Sequence, residues 1–392
     1  MHWLNNNNNY RRNDKTAARF INIVCGVLFI VFSTVYLIYF QNDLIEAVHC
    51  SISKGNKDFN IIPATIIIIT ILLIMRWGLN LLMKLRGNLS ALAYLPSFLG
   101  LVTMTAFGRD LYTDCNSYIW WWLMPLLTVA FVIVVVAIRK AMRIKDQTAV
   151  ELTNGLIWNI TLMLIMSIGT VCLGNTDRYM HNELRMENLI AKDNNAEALK
   201  VAGKSLKATR TMTALRMLAM TKEEDTGEML FKFPQYYKEN GLFFDDDPTK
   251  TLRYTNDSIY SFLGERPMPG ERKMDYLKRL AYRGDTCYYK ARLYYMAGLM
   301  LEKDIDGYAK ALKDFDIKGD SLKRYFKEAA LMYKEKYPQW NFEIDDKDSV
   351  CHKMLERYRY RQKDFYKSKD EERNRMRMEF GDTFLWYYDY QE

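Results

Sequence analysis

The sequence predicts an all-α protein in two parts, a transmembrane helical bundle of five spans followed by a stack of amphipathic α-hairpins. Three observations predict it. Long apolar runs crowd into residues 1–175, hydrophobic positions recur at helical spacing from there on, and the charged residues gather in that second part. The averages over all 392 residues, 49% hydrophobic and 26% charged, therefore describe neither part. The second part, 176–392, is long enough to bury a core of its own. The formal charge of +8 comes from Lys and Arg interleaved with Asp and Glu rather than from a basic face, so nucleic acid is not an expected partner.

A helix needs roughly 20 apolar residues to cross about 30 Å of hydrocarbon, because lipid offers no partner to an unpaired backbone group. Five segments meet that length: 18–40, 61–83, 89–107, 118–138 and 153–173. The third and fifth are the more polar, with Pro96, Asn154 and Asn159. The first has an apolar run longer than the roughly 7–15 residues of a signal-peptide core. It leads into FQNDLIEAVHC, which lacks a small-x-small cleavage site, so a retained anchor is expected.

Orientation follows from Lys and Arg in the short connections. With the N-terminus cytoplasmic, the inner segments hold Arg11, Arg12, Lys15 and Arg19, then Arg76, Lys84 and Arg86, then Arg139, Lys140, Arg143 and Lys145. The outer loops hold Lys54, Lys57 and Arg109. The fourth segment carries its own markers. Trp120, Trp121 and Trp122 suit the outer headgroup level, while Arg139, Lys140, Arg143 and Lys145 anchor the inner end. An odd number of crossings then puts 176–392 outside the cytoplasm.

Within the spans, Arg76 is expected to snorkel to the inner headgroups, and Asn154 and Asn159 to hydrogen-bond between helices. No span carries a central Asp, Glu or Lys, which argues against an ion-coupled transporter. Cys50 and Cys115 fall in the two outer loops, where an oxidising space would allow a disulfide between them. No CxxC, HExxH or Cys/His cluster is present, so neither a metal nor a cofactor is expected.

In the second part, NNAEALKVAGKSLKATRT aligns Leu199, Ala202, Gly203 and Leu206 on one face, and TMTALRMLAMTKEE aligns Met212, Leu215, Leu218 and Ala219. The segment ARLYYMAGLMLEKDIDGYAKALKDF gives a further pair of helices, and RYFKEAALMYKEKYPQW another helix ending at Pro338. Small residues in each stripe let neighbouring helices approach closely, in the manner of tetratricopeptide-like stacks, although no clean 34-residue period is present. The stretch 243–273, rich in proline, reads as a loop insertion with one short helix. The aromatic tail around Phe384–Tyr388 is expected to fold back as the cap of the stack.

The segments GEMLFKFPQYYKENGLF, YYMAGLMLEKDIDGYAKALKDF, LKRYFKEAALMYKEKYP and EFGDTFLWYYDY, with the layout of the spans, resemble an uncharacterised family of multi-spanning inner-membrane proteins from Bacteroidota. The resemblance implies a helical bundle followed by a tetratricopeptide-like periplasmic domain in a bacterial inner membrane. It implies no reaction.

Motifs for a nucleophile elbow, a phosphate loop or a kinase are missing. Asp245, Asp246 and Asp247 stand before a proline, where consecutive side chains diverge, and read as a solvated turn. The leading expectation is a membrane-anchored envelope protein whose helical repeats bind a protein or peptide, with the lipid bilayer as its other partner and no catalytic activity. The alternative is a membrane enzyme acting on lipid-linked sugar or another envelope glycan, with Asp43, Glu46 or Asp58 of the first outer loop as its acids.

Overall fold

In the computed structural model the described residues are 2–53, 59–83, 85, 87–106, 119–141, 152–245, 253–283, 288–344 and 349–391. Among them there are helices and no strand. Their contacts divide into two compact units, one ending at His181 and one beginning at Asn182.

The first unit opens with α1 (His2–Val35), whose end widens into a π-helical turn over Tyr36–Phe40, and with the short amphipathic α2 (Asn42–Ser53). α3 (Ile61–Met83) leads to a 3-10 helix (Gly87–Tyr94) and α4 (Leu95–Thr105); α5 (Ile119–Ala141) and α6 (Leu152–Leu173) follow. The isoleucines of α3 would favour strands in water. A continuous apolar segment of this length is helical instead, because a helix pairs its own backbone groups throughout. Its Ile62, Ile66, Ile67 and Ile71 are 58–62% exposed, an apolar surface compatible with lipid rather than water around it.

Three helices are long and apolar enough to cross a membrane, Thr16–Phe40, Ile61–Leu82 and Leu152–Leu173. The expectation of five is corrected to three among the described residues. Residues 89–107 do not form one α-helix, because the chain is 3-10 up to Tyr94 and α-helical for 11 residues beyond it. Pro96 lies in the first turn of α4, where its missing N–H costs no helical bond, so it marks a start rather than an interior. The 3-10 turn is held from outside the segment. Asn159 of α6, fully buried, accepts from the Ala91 N–H at 2.7 Å and the Ser90 hydroxyl at 3.0 Å, and donates to the Gly155 carbonyl at 2.7 Å. The expected fourth span lies within α5, whose apolar stretch among the described side chains is Pro125–Ala137.

α1, α4 and α6 run in one direction and α3 against them. Phe29 packs its ring 5.2 Å from those of Tyr94 and Phe98, and seven residues along, Tyr36 meets Thr105. On α3, by contrast, the earlier Leu72 accepts from Ser97 while the later Arg76 reaches back to Tyr94. Arg76, expected to snorkel to the inner headgroups, is half-buried and lies against α1 and the 3-10 helix. Its guanidinium lies 4.3 Å from the Tyr94 ring centroid, with Nη2 3.5 Å from Asn22 Oδ1.

The chain passes through α7 (Arg178–Ala191) into the second unit, which continues with α8 (Asn195–Lys200), α9 (Arg210–Lys222), α10 (Thr226–Met229) and α11 (Asn256–Leu263). Then come α12 (Lys273–Ala281), α13 (Tyr289–Leu301), α14 (Ile305–Asp314), α15 (Arg324–Lys336), α16 (Ser349–Gln362), α17 (Lys369–Phe380) and α18 (Phe384–Tyr390). α9 is buried from Thr211 to Thr221 and α13 from Leu293 to Leu301. Helices covered on all faces are interior ones, and the rest of the unit wraps them. From α12 to α18 each helix packs against the next, and α15 also touches α10 and α18. Phe384, Leu385, Trp386 and Tyr387 of α18 are buried in the same core.

The pattern that aligned Leu199 with Leu206 is not one helix. α8 stops at Lys200, Ala202 takes a positive φ of 50°, and Leu206 is left 67% exposed.

Candidate functional site

A groove of about 370 Å³ opens in the second unit where three segments meet: the loop 203–206, the irregular stretch 231–236, and the region of α17 and α18. Its aromatic residues Phe231, Phe233, Trp386 and Tyr387 are buried, whereas Leu206, Tyr236 and Met378 are 67%, 40% and 87% exposed. A hydrogen-bonded relay ties the three walls together. Arg377 Nη2 donates to the Tyr236 hydroxyl at 3.2 Å, and that hydroxyl donates to the Leu206 carbonyl at 2.5 Å. The same guanidinium lies 5.4 Å from the Trp386 ring centroid.

The loop is also held from behind. Arg216, on the interior helix α9 and 1% exposed, donates through Nη2 to the carbonyls of Val201 at 3.3 Å and Ala202 at 3.1 Å. Its guanidinium lies 4.4 Å from the Phe233 ring centroid. These bonds explain why the chain leaves the helix after Lys200: the two carbonyls turn toward a buried cation. Desolvation lowers the Arg216 pKa to about 10, which still leaves it charged at neutral pH.

The ionisable groups of the groove are unevenly matched. Glu379 pairs with Arg361 at 3.3 Å and also with Arg357, and Asp382 pairs with Arg324 at 3.4 Å. Lys204, Lys232 and Arg377 have no carboxylate partner among the described residues. The groove therefore offers three cations beside an aromatic floor and an apolar rim.

The acids expected to lie in a first outer loop are placed differently from one another. Asp43 and Glu46 lie three residues apart on α2, Asp43 half-buried and Glu46 6% exposed, and both are engaged with other groups. Asp58 lies outside the described residues. Near this end of the bundle is a buried polar knot that sequence reasoning missed. The Tyr36 hydroxyl and Thr105 Oγ1 are 2.9 Å apart, and Gln41 Nε2 donates to Tyr36 at 3.3 Å and to the Asn175 carbonyl at 3.0 Å. His181 Nε2 stands 3.3 Å from that same carbonyl. Polar residues at the end of an apolar run, Gln41 and Asn175, were the available signal.

Of the topology markers, Trp122 is 80% exposed on α5. Trp120, Trp121, Arg139 and Lys140 belong to that helix, with side chains outside the description, and Arg143 and Lys145 lie outside the described residues. Cys50 carries a free thiol, and Cys115 lies outside the described residues. Asp245 pairs with Arg210 at 3.2 Å, while Asp246 and Asp247 are not described. Among the described residues no group of three or more His, Cys, Asp or Glu is arranged to hold a metal ion.

The sequence pattern of a family of unknown function, DUF6057, matches residues 4–266, well over half of the chain. No curated protein and no solved structure matches it. The match covers the groove's loop 203–206 and stretch 231–236 and stops before α17 and α18.

Proposed function

The chain belongs to the DUF6057 family, and from that premise we propose that it is a multi-pass membrane protein that displays its second unit for binding a protein or peptide. The observation that carries this reading is the groove. It combines buried aromatics, an exposed apolar rim and unmatched cations, the residue types that supply most of the energy at interaction hot spots. The succession of short helices from α12 to α18, each against the next, supports a tetratricopeptide-like stack.

The sidedness we propose is N-terminus cytoplasmic and second unit periplasmic, in a bacterial inner membrane. The distribution of Lys and Arg among the connections supports it. Three crossings and five have the same parity, so the correction in span number leaves this inference unchanged. A periplasm-dependent reporter fused after Leu173 should be active; a reporter active only in the cytoplasm overturns the placement.

Photo-crosslinking in cells tests the binding role. A crosslinker at Leu206 or Met378, on the groove rim, should give a discrete protein adduct that one at Tyr360, 70% exposed on α16, does not give. Equal or absent adducts at all three positions overturn the reading.

Asp43 and Glu46 stand one turn apart on α2, and this pair of acids supports a second reading, an envelope enzyme for lipid-linked sugar or other glycan. Alanine at Asp43, Glu46 and Asp58 separates the two: loss of function at a normal protein level favours the enzyme, and retained function with loss on Leu206 or Met378 replacement favours the binding role.

A further inference from the structure

We propose that the groove takes an acidic linear segment bearing one aromatic or branched aliphatic side chain, an inference that rests on the binding role above and names its partner's chemistry. Charge complementarity carries it. Among the described residues the carboxylates that line the groove are Glu379 and Asp382, and they are already neutralised by arginines, Arg361, Arg357 and Arg324, that do not line it. The cations have no such match. Lys204 and Lys232 are exposed and unpaired among the described residues, and Arg377 is bonded to a hydroxyl and set against an indole, neither of which cancels its charge. A basic segment would meet uncompensated like charge at all three positions, and a neutral one would leave them unanswered.

Size and shape narrow the occupant further. A cavity of about 370 Å³ is at the small end of binding pockets and admits a side chain or two rather than a large cofactor. The aromatic floor of Phe231, Phe233, Trp386 and Tyr387 suits an apolar anchor, and exposed Leu206 and Met378 would cover its flanks. The three walls are braced in advance by the relay from Arg377 through Tyr236 to Leu206, so little ordering is left to occur on binding. The carboxylates of the segment would lie along the cationic rim and the anchor would enter between them.

The test uses the full chain in nanodiscs of a neutral lipid and fluorescent 12-residue peptides, read by anisotropy. One peptide alternates Glu with Ser around a central Phe, a second replaces Glu by Lys, and a third replaces Phe by Ala. The acidic Phe peptide should bind best, and raising salt from 50 to 300 mM should weaken it several-fold. The double variant K204E/K232E, altered at exposed positions that brace nothing, should lose on the order of tenfold affinity for the acidic peptide and gain affinity for the lysine one. Equal binding of the acidic and lysine peptides, or an unchanged affinity in the double variant, overturns the proposal. So does capture of phosphatidylglycerol vesicles, in place of peptide, through the same two lysines. If the rim crosslinks form in cells while the peptides show no charge preference, the binding role stands and its partner's chemistry falls. If no crosslink forms, the binding role falls first.

Discussion

Glu328 on α15 accepts a hydrogen bond from the backbone N–H of Phe384, at 2.8 Å, and so receives the first turn of the C-terminal helix α18. The carboxylate is 1% exposed, and its other partner is Arg324, at 3.1 Å. Burial outweighs both partners and raises its pKa from 4.5 to about 7. The helix that Glu328 holds also supplies Trp386 and Tyr387 to the groove.

The folded chain therefore holds a proton at Glu328 more tightly than the unfolded chain does. Its contribution to stability is lost as pH rises from 4.5 to about 7 and changes little beyond, because both states are then ionised. Glu328→Gln keeps an acceptor for Phe384 and removes the charge. Against this variant, the wild type should lose about 2–4 kcal/mol between pH 4.5 and pH 8, measured by denaturant unfolding in detergent. Parallel pH profiles for the two proteins would refute the assignment.

Tyr236 is the middle of the relay that braces the groove. Tyr236→Phe removes a single hydroxyl and with it both bonds. Hydrogen exchange at Lys204, Ser205 and Leu206 should quicken by roughly fivefold to tenfold, as expected for loss of about 1 kcal/mol of local protection. Unchanged exchange there would mean that Arg216 holds the loop alone.

Asn159 offers a contrast with Asn154 on the same helix. Asn159 is fully buried and supports the 3-10 turn through Ala91 and Ser90, whereas Asn154 is exposed. Asn159→Leu strands a buried backbone donor and should cost about 1–2 kcal/mol in detergent stability. Asn154→Leu should fall within about 0.5 kcal/mol of wild type. Similar losses for both would contradict the specific role of Asn159.

How much of this was legible depends on whether the cause of each element lies within it. The apolar spans that α1, α3 and α6 carry answer to composition over some 20 residues, and their limits, Thr16–Phe40, Ile61–Leu82 and Leu152–Leu173, lie within two residues of those expected from the apolar runs. The break in 89–107 depends on Asn159, far along the chain, with Pro96 as its one local sign. The end of α8 likewise answers to Arg216, a charged residue on a helix whose spacing predicts one apolar face and which is buried all round. The groove joins segments some 140 residues apart, as the bond from Arg377 to Tyr236 shows, and no local pattern records such a meeting. Acids could be noticed in the connection after the first apolar run, but not that Glu46 would be buried while Asp43, one turn before it, is half-buried.

Gly174 closes the polar knot of the first unit by its lack of a side chain. A Cβ there would stand 2.1 Å from the Tyr36 hydroxyl and 3.1 Å from Thr105 Oγ1. Tyr36 is 3% exposed and bonded on two sides, so it cannot yield without breaking the knot. Gly174→Ala should thus destabilise the protein by about 1–3 kcal/mol. Gly169, within α6, has no atom within 4 Å of such a Cβ, and Gly169→Ala should instead gain up to about 1 kcal/mol from helix propensity. In the double variant G174A/Y36F the hydroxyl that obstructs the added methyl is gone, and its loss should be smaller than the sum of the two single losses. Strict additivity in thermal unfolding would show that the damage at Gly174 does not act through Tyr36.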